Sequence, residues 1–521
     1  MCVNDGFERQ AQVIGELVSA VTIGPGPHRQ IEVCAPFTGA VIGSIPAGQE
    51  ADVDLAVTLA RAAQPAWAAR TFAGRRRIFL RFHDLLLERQ NQALDLLQIE
   101  TGKSRSHAFE EILDTAIVAR YYALRARRFL RPRRKKGAFP LLTRTVEVRA
   151  PAGVVGFIAP WNFPLTLGIT DAIAALLAGN AAILKPDPQT SFTALWALQL
   201  LREAGLPRDV FSVVTGEGPV AGQALVDRAD YLMFTGSNGI GKRIAARAGE
   251  RLVGCSVELG GKNPALVLAD ADLKAAVEGT VRGCFVGAGQ VCVSIERVYV
   301  HESVYSPFLE LLADRTRKIK LGAAFDYSME VGSLTTAGQL QRVEEHVADA
   351  IGKGATVVAG GSRRPDLGPL FYEPTILTGV REGMKAFATE TFGPVVAVYP
   401  VAGEQEAVER ANATPYGLSA SIWTRDTRKG ARLARAIRAG SVNVNEAYAA
   451  TWASVDSPVG GMKESGLRPR HGAEGILKFT EPQTIAVQRW LPIAPSHGMS
   501  PEFYARWMTR FVKVLRRVGM G

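Results

Sequence analysis

A cysteine in a glycine-rich loop is the residue of this chain best suited to covalent chemistry. Cys292 lies in Phe285-Val286-Gly287-Ala288-Gly289-Gln290-Val291-Cys292-Val293-Ser294, among small and apolar neighbours and just after turn-forming residues. Glycines let a backbone approach a bound molecule without a Cβ in the way. A thiol on such a loop can add to a carbonyl carbon, and its own backbone N–H can help hold the oxyanion that forms. Taken by itself the stretch favours a small buried hydrophobe, the commoner fate of an unpaired cysteine.

A second stretch suits an anion. Thr235-Gly236-Ser237-Asn238-Gly239-Ile240-Gly241 follows an apolar strand and precedes a helix expected from about Lys242. Unpaired N–H groups and the helix dipole at such a turn attract a pyrophosphate. The spacing is not G-x-G-x-x-G, so a plain tight turn explains the glycines equally well.

These loops need a scaffold. The 521 residues are enough for two or three domains, and 47% hydrophobic with 21% charged residues is ordinary globular composition. Cys2, Cys34, Cys255, Cys284 and Cys292 show no paired spacing and no histidine cluster, which argues against a disulfide framework and a structural zinc site. No metal is expected. Glu16 interrupts the only apolar candidate near the N-terminus, and Pro151, Pro160 and Pro164 break the longest uncharged run, so a soluble cytoplasmic protein is expected. The net charge of +11 is partly local, with eight basic residues among the twelve of 125–136. Lacking interleaved aromatics or a nucleic-acid motif, that run reads as a solvated helix end and loop, and no nucleic-acid partner is expected.

Residues 51–128 are helical in pattern. One helix opens near Asp52 and Asp54, another carries Ile78, Leu80, Phe82, Leu85 and Leu86, and Glu100-Thr101-Gly102-Lys103 marks a stop and restart. Residues 141–148 read as a strand. From Gly153 the style alternates: strands at 154–158, 181–184, 211–214 and 231–234, with helices between them, indicate a parallel sheet with ligands at its C-terminal ends. A second α/β block begins near Val257, with strands at 265–268 and 395–399, and a last strand is expected at 484–487.

Six motifs in order carry a family resemblance: Pro160-Trp161-Asn162-Phe163-Pro164, Lys185-Pro186, Phe234-Thr235-Gly236-Ser237, Glu258-Leu259-Gly260-Gly261-Lys262, Gly289-Gln290-Val291-Cys292 and Glu390-Thr391-Phe392-Gly393-Pro394. Over residues 30–485 the chain resembles the NAD(P)-dependent aldehyde dehydrogenases, and within them an actinobacterial-type group described as succinate-semialdehyde dehydrogenases. The resemblance implies an α/β fold with a Rossmann-like dinucleotide-binding domain (1–136 and 150–257), a catalytic α/β domain (258–445) and a small β oligomerisation unit (137–149 with 446–490). A basic amphipathic tail (491–521) follows. It implies Cys292 as nucleophile, Asn162 with the Cys292 N–H as oxyanion donors, and Glu258 as general base. NAD or NADP would be held by Ile158, Pro160, Trp161, Lys185, Gly236, Ser237, Glu390 and Phe392. Cys34, Cys255 and Cys284 read as structural.

Departures from the family pattern bear on specificity. NAD-preferring members carry a carboxylate three residues after the ribose lysine; here Pro188 stands there, beside Asp187, so NADP should be tolerated. Arginines that grip a dicarboxylic semialdehyde are replaced by Thr170 and Val286, and Tyr448 and Trp452 add aromatic surface. The expected substrate is succinate semialdehyde or a more apolar aliphatic or aromatic aldehyde, and these departures lean toward the larger or more apolar one. In the tail, Phe503, Trp507, Phe511, Val514 and Val518 share one helical face among five basic residues. That face is expected to dock on its own or a neighbouring subunit, the alternative being weak contact with an anionic membrane. Edge strands of the oligomerisation unit imply a homodimer or homotetramer. Two rivals are a coenzyme-A-acylating relative, which the presence of Glu258 disfavours, and a non-catalytic basic binding protein.

Overall fold

The structure, a computed structural model, describes residues 13–137, 143–489, 493–495, 498–517 and 519. Cys2, the first two residues of the strand expected from Leu141, and Val518 lie outside them.

Six strands form the first sheet, in the order Gly466–Leu467, Gly254–Glu258, Tyr231–Thr235, Val154–Ile158, Ala181–Lys185 and Phe211–Val213. All neighbours run parallel except the short Gly466–Leu467. Their apolar runs are covered on both faces, as parallel strands require. Period-two alternation sends Val155 and Phe157 into one core with the helices Phe72–Glu88, Arg105–Leu130 and Pro164–Leu177. Val154 goes to the opposite core, with Val53 and Val57 of the helix Glu50–Ala69. The strand order reverses between Val154–Ile158 and Tyr231–Thr235, and ligands of such sheets bind outside the C-terminal ends at that point. Ala159 to Pro164 leaves one strand there, and Gly236-Ser237 leaves the other.

The helix after Ser237 starts at Asn238, one turn earlier than expected. Glycines lower helix propensity, but a Cβ on Gly241 would come within 2.3 Å of Leu259, so packing sets the residue choice.

Seven strands form the second sheet, in the order Thr356–Ala359, Thr375–Thr378, Val395–Val401, Ile295–His301, Asn263–Val267, Ser419–Trp423 and Ser441–Val444. The strand Ile295–His301 begins three residues after Cys292. Its Glu296 and Arg297 are buried, each held by several hydrogen bonds, and such charged residues hide a central strand from a hydrophobicity pattern.

In a third sheet Thr143–Pro151 pairs antiparallel with Thr480–Gln488 over nine residues, and Arg133–Lys135 flanks it. The basic run thus ends a helix and forms an exposed strand whose Lys135 pairs with Glu147 at 2.8 Å. Beyond Thr480 the Thr480–Gln488 strand is exposed, including Ile485 and Val487. In the tail, Pro501–Arg517 is a helix with Leu515 buried, while Phe503, Trp507 and Val514 remain exposed. Among the described residues no helix is long and apolar enough to cross a membrane.

Asn180 ties the first and third sheets together. The helix Pro164–Leu177 ends at Gly179, whose φ of +98° suits glycine, and the buried Asn180 follows. Its Nδ2 donates to the carbonyls of Ala175 and Phe479 at 2.9 and 3.0 Å, and its Oδ1 accepts from Gly153 N at 2.9 Å. Asn180→Ala would leave the half-buried Gly153 N–H without its acceptor and take one of two donors from the carbonyls of Ala175 and Phe479. A loss of about 1–3 kcal/mol in stability is expected, read as a lower melting temperature with KM little changed.

Candidate active site

Two clefts meet at Cys292. The first is lined by Pro160, Trp161, Asn162, Gly236, Ser237, Glu258, Cys292, Glu390 and Phe392, with Gln339 and Arg342. The second is lined by Glu110, Asp114, Phe163, Thr166, Leu167, Val291, Val293, Tyr448 and Trp452, and shares Asn162, Leu167 and Cys292 with the first. Ile158 and Lys185 are adjacent partners on neighbouring strands, at the edge from which the first cleft opens, but not on its wall. Lys185 is buried and its Nζ donates to the Pro186 carbonyl at 2.9 Å. Cys284 is buried, while Cys34 and Cys255 are half-buried and line neither cleft.

The loop before Cys292 is bent by left-handed backbone at Gly287, Ala288 and Gly289. A Cβ on Gly289 would fall 2.1 Å from the Gly393 carbonyl, so only glycine fits. Asn263 holds the far side, its Nδ2 donating to the carbonyls of Cys292 and Ser294, each at 2.7 Å. Gly261 lets this contact form, because a Cβ there would come within 2.6 Å of the Cys292 carbonyl.

Two buried ion pairs fix the remaining loops. The Lys103 ammonium reaches Glu111 at 2.5 Å and donates to the Asn162 carbonyl at 2.7 Å. Glu111 also accepts from the N–H groups of Leu165 and Thr166, in the first turn of the helix Pro164–Leu177. Asn162 is then held at both ends, since its Nδ2 donates to Gln290 O at 2.9 Å. Lys262 pairs with Glu296, whose carboxylate accepts from the N–H groups of Thr391 and Phe392. Phe392 has a φ of 56° and meets the Trp161 ring edge-on at 5.6 Å. Lys262, part of a recognised motif, therefore shapes the Glu390–Phe392 loop.

Burial drives the titrating groups. It pushes the Cys292 thiol up to about 12, with Arg470 pulling it down and Glu258 and Glu390 adding to the rise. It pushes Glu258 up to about 7, against Arg470 and Lys478 and with Asp171. A carboxyl that titrates near neutrality can take and return a proton at little cost. In the second cleft burial pushes Asp114 up to about 7 and raises Glu110, which accepts from Tyr448 Oη at 2.8 Å.

The first cleft suits a dinucleotide. Gly236 and Ser237 open the helix Asn238–Glu250, which has no acidic residue in its first turn and no side-chain cap from Ser237. Its N-terminus thus faces the cleft able to receive a phosphate. Asp187, the carboxylate beside Pro188, accepts from Gln189 N through Oδ1 at 3.0 Å.

Comparison with known proteins gives the class. Residues 24–485 match the model of the aldehyde dehydrogenase family, and the chain belongs to that family. It is 48% identical over 482 residues to a putative succinate-semialdehyde dehydrogenase [NADP(+)] of Mycolicibacterium smegmatis, covering 92% of this chain and 93% of the relative. A glutarate-semialdehyde dehydrogenase of Pseudomonas aeruginosa is 36% identical, with coverage of 91% and 96%. Among solved structures, an NAD+ complex of aldehyde dehydrogenase from Bacillus cereus is 33% identical with a TM-score of 0.86, covering 91% of this chain and 98% of that one. The protein is an NAD(P)-dependent aldehyde dehydrogenase.

Lys103, Glu111, Glu110, Asp114 and Arg470 escaped the sequence reading. Only the restart at Gly102-Lys103 gave any signal. Lys103→Met would leave the buried Glu111 without its cation, and is expected to cost about 3–5 kcal/mol of stability. It should also lower kcat/KM, because the Asn162 carbonyl loses its partner. Thermal melts and steady-state kinetics on the same preparation check both.

Proposed function

We propose that the protein oxidises an aldehyde with an uncharged distal group to its carboxylic acid, through a covalent thioester on Cys292. The observation that carries this reading is the position of Cys292, on the wall of both clefts and within reach of the charges of Glu258 and Arg470. Glu258 first takes the Cys292 thiol proton and passes it to solvent, and the thiolate then attacks the aldehyde carbon entering from the second cleft. Asn162 Nδ2 and the Cys292 N–H hold the resulting oxyanion. Gly236, Ser237, Trp161, Glu390 and Phe392 would hold NAD(P)+, with Lys185 and Ile158 at the same strand ends; bound there, it supplies the hydride acceptor. Glu258 then takes a proton from water as the water oxygen attacks the thioester carbonyl, and Cys292 leaves as thiolate. With the uncharged Pro188 where NAD-preferring members carry a carboxylate, both NAD+ and NADP+ should serve.

The substrate preference rests on the second cleft. Its walls carry Phe163, Tyr448, Trp452, Leu167, Val291 and Val293, two carboxylates, and no Lys or Arg among the described residues. Thr170 and Val286, which replace the expected arginines, are not on those walls; Thr170 donates to the Thr166 carbonyl at 2.6 Å. Arg282 and Arg470 stack on Tyr448 and Trp452 at 5.2 and 5.5 Å and also do not line the cleft. A second carboxylate on the substrate would meet Asp114 and Glu110, the latter already paired with Arg282 at 3.6 Å, and no Lys or Arg on the wall itself. The exposed Thr480–Gln488 edge supports assembly into a homodimer or homotetramer through strand pairing.

Initial rates of nicotinamide reduction across an aldehyde panel test this. Aliphatic and aromatic aldehydes should exceed succinate semialdehyde in kcat/KM by at least about tenfold, the worth of one missing charge-assisted pair. Cys292→Ala should abolish turnover. Highest kcat/KM with succinate semialdehyde would overturn the preference, and turnover by Cys292→Ala would overturn the mechanism.

A further inference from the structure

Arg470 is wholly buried between the two clefts, on the loop after the Gly466–Leu467 strand. Backbone hydrogen bonds join it to Val459 in both directions, and Arg468 and His471 near it have φ of 64° and 65°. Non-glycine residues adopt that backbone where surrounding contacts impose it, so the loop fixes the direction of the guanidinium. Nη2 stands 3.4 Å from Asp171 Oδ2 and donates to Thr235 Oγ1 at 3.3 Å.

Thr235 is the register partner of Glu258 on the adjacent strand. A Cβ on Gly460 would come within 3.0 Å of Glu258 Oε1 and 2.8 Å of Pro469 Cα, so the base lies beside the residue that precedes Arg470. Among the described residues Arg470 Nε and Nη1, Glu258 Oε1 and Asp171 Oδ2 have no hydrogen-bond partner. Unpaired polar atoms of buried charged groups are costly, and at a catalytic carboxylate they indicate a functional use.

We propose that Arg470 is the positioning residue of the base, its buried guanidinium charge favouring the carboxylate form of Glu258 from beyond hydrogen-bond distance while Asp171 offsets that charge. The proposal rests on Glu258 being the group that activates water. Glu258 faces two cations, Arg470 and Lys478, and one anion, Asp171. Arg470 faces Asp171, Glu258, Cys292 and Asp114. Lys478 Nζ lies 3.0 Å from Asp171 Oδ1, while burial keeps His471 neutral by pushing it down to about 3.

The signs are opposite for the two partners. Removing the Arg470 charge leaves burial of Glu258 less opposed, so the base protonates at higher pH. Removing the Asp171 charge frees Arg470 to act on Glu258, so the base protonates at lower pH. A purely architectural role gives no such opposition.

The test needs neither aldehyde nor nicotinamide. p-Nitrophenyl acetate acylates Cys292 directly, with p-nitrophenolate leaving, and intact-protein mass follows loss of the acetyl group to water at a series of pH values. The midpoint of the acidic limb should rise by about one unit in Arg470→Gln, a tenfold slower decay below it, and should fall in Asp171→Asn. Arg470→Lys, which keeps the charge and loses the fork, should lie between Arg470→Gln and the wild type. Unmoved midpoints, or shifts in the same direction, would overturn the proposal whatever the melting temperatures. Should Arg470→Gln fail to fold, Asp171→Asn decides: a fall supports the proposal, and no change or a rise overturns it. Decay in Glu258→Gln as fast as in the wild type would instead overturn the assignment of the base.

Discussion

The geometry of both clefts depends on burying charge only where another charge and several backbone groups satisfy it. Lys103 and Glu111 show the constraint most fully: the ammonium holds the Asn162 carbonyl, and the carboxylate holds the first N–H groups of the next helix. Either partner alone would be an uncompensated charge in the interior. Lys262 and Glu296 repeat the device across the cleft, where the carboxylate gathers the N–H groups of Thr391 and Phe392. Loops from two sheets therefore meet at Cys292 with little freedom, which suits a reaction that needs donors preset around a developing oxyanion.

The same burial sets the protonation states. A thiol pushed up to about 12 is protonated at neutral pH, and the nearby carboxyl at about 7 is poised to exchange protons there. Arg470 opposes burial for both groups, so one cation influences the nucleophile and the base at once. Its partners come from three regions of the chain: Asp171 on the helix after Asn162, Thr235 at a strand end, and Trp452 on the wall of the second cleft.

The sequence showed the groups that sit in local motifs. Cys292, Glu258 and Asn162 each lie in a short motif, and around the first two the neighbours are dictated by close backbone approach, as at Gly261 and Gly289. The first sheet was legible because its central strands are apolar throughout. Gly254–Glu258 was not, since Gly254, Cys255 and Ser256 weaken the strand pattern, and Glu258 consequently read as the start of the second block rather than the end of a strand in the first sheet. Arg470, Lys103 and Glu111 were hidden for a further reason. A charged residue reads as solvent-facing until its partner is known, and those partners lie between 8 and 299 residues away.

The central claim is that chemistry passes through a covalent bond to Cys292, released by water that Glu258 activates. The most direct measurement is peptide mass spectrometry of Glu258→Gln quenched during reaction with an aldehyde and NAD(P)+. An acyl group on the Cys292 peptide, accumulating in the variant and transient in the wild type, is the predicted result. Acylation elsewhere, or continued acid formation with Cys292 unmodified throughout, would contradict the account.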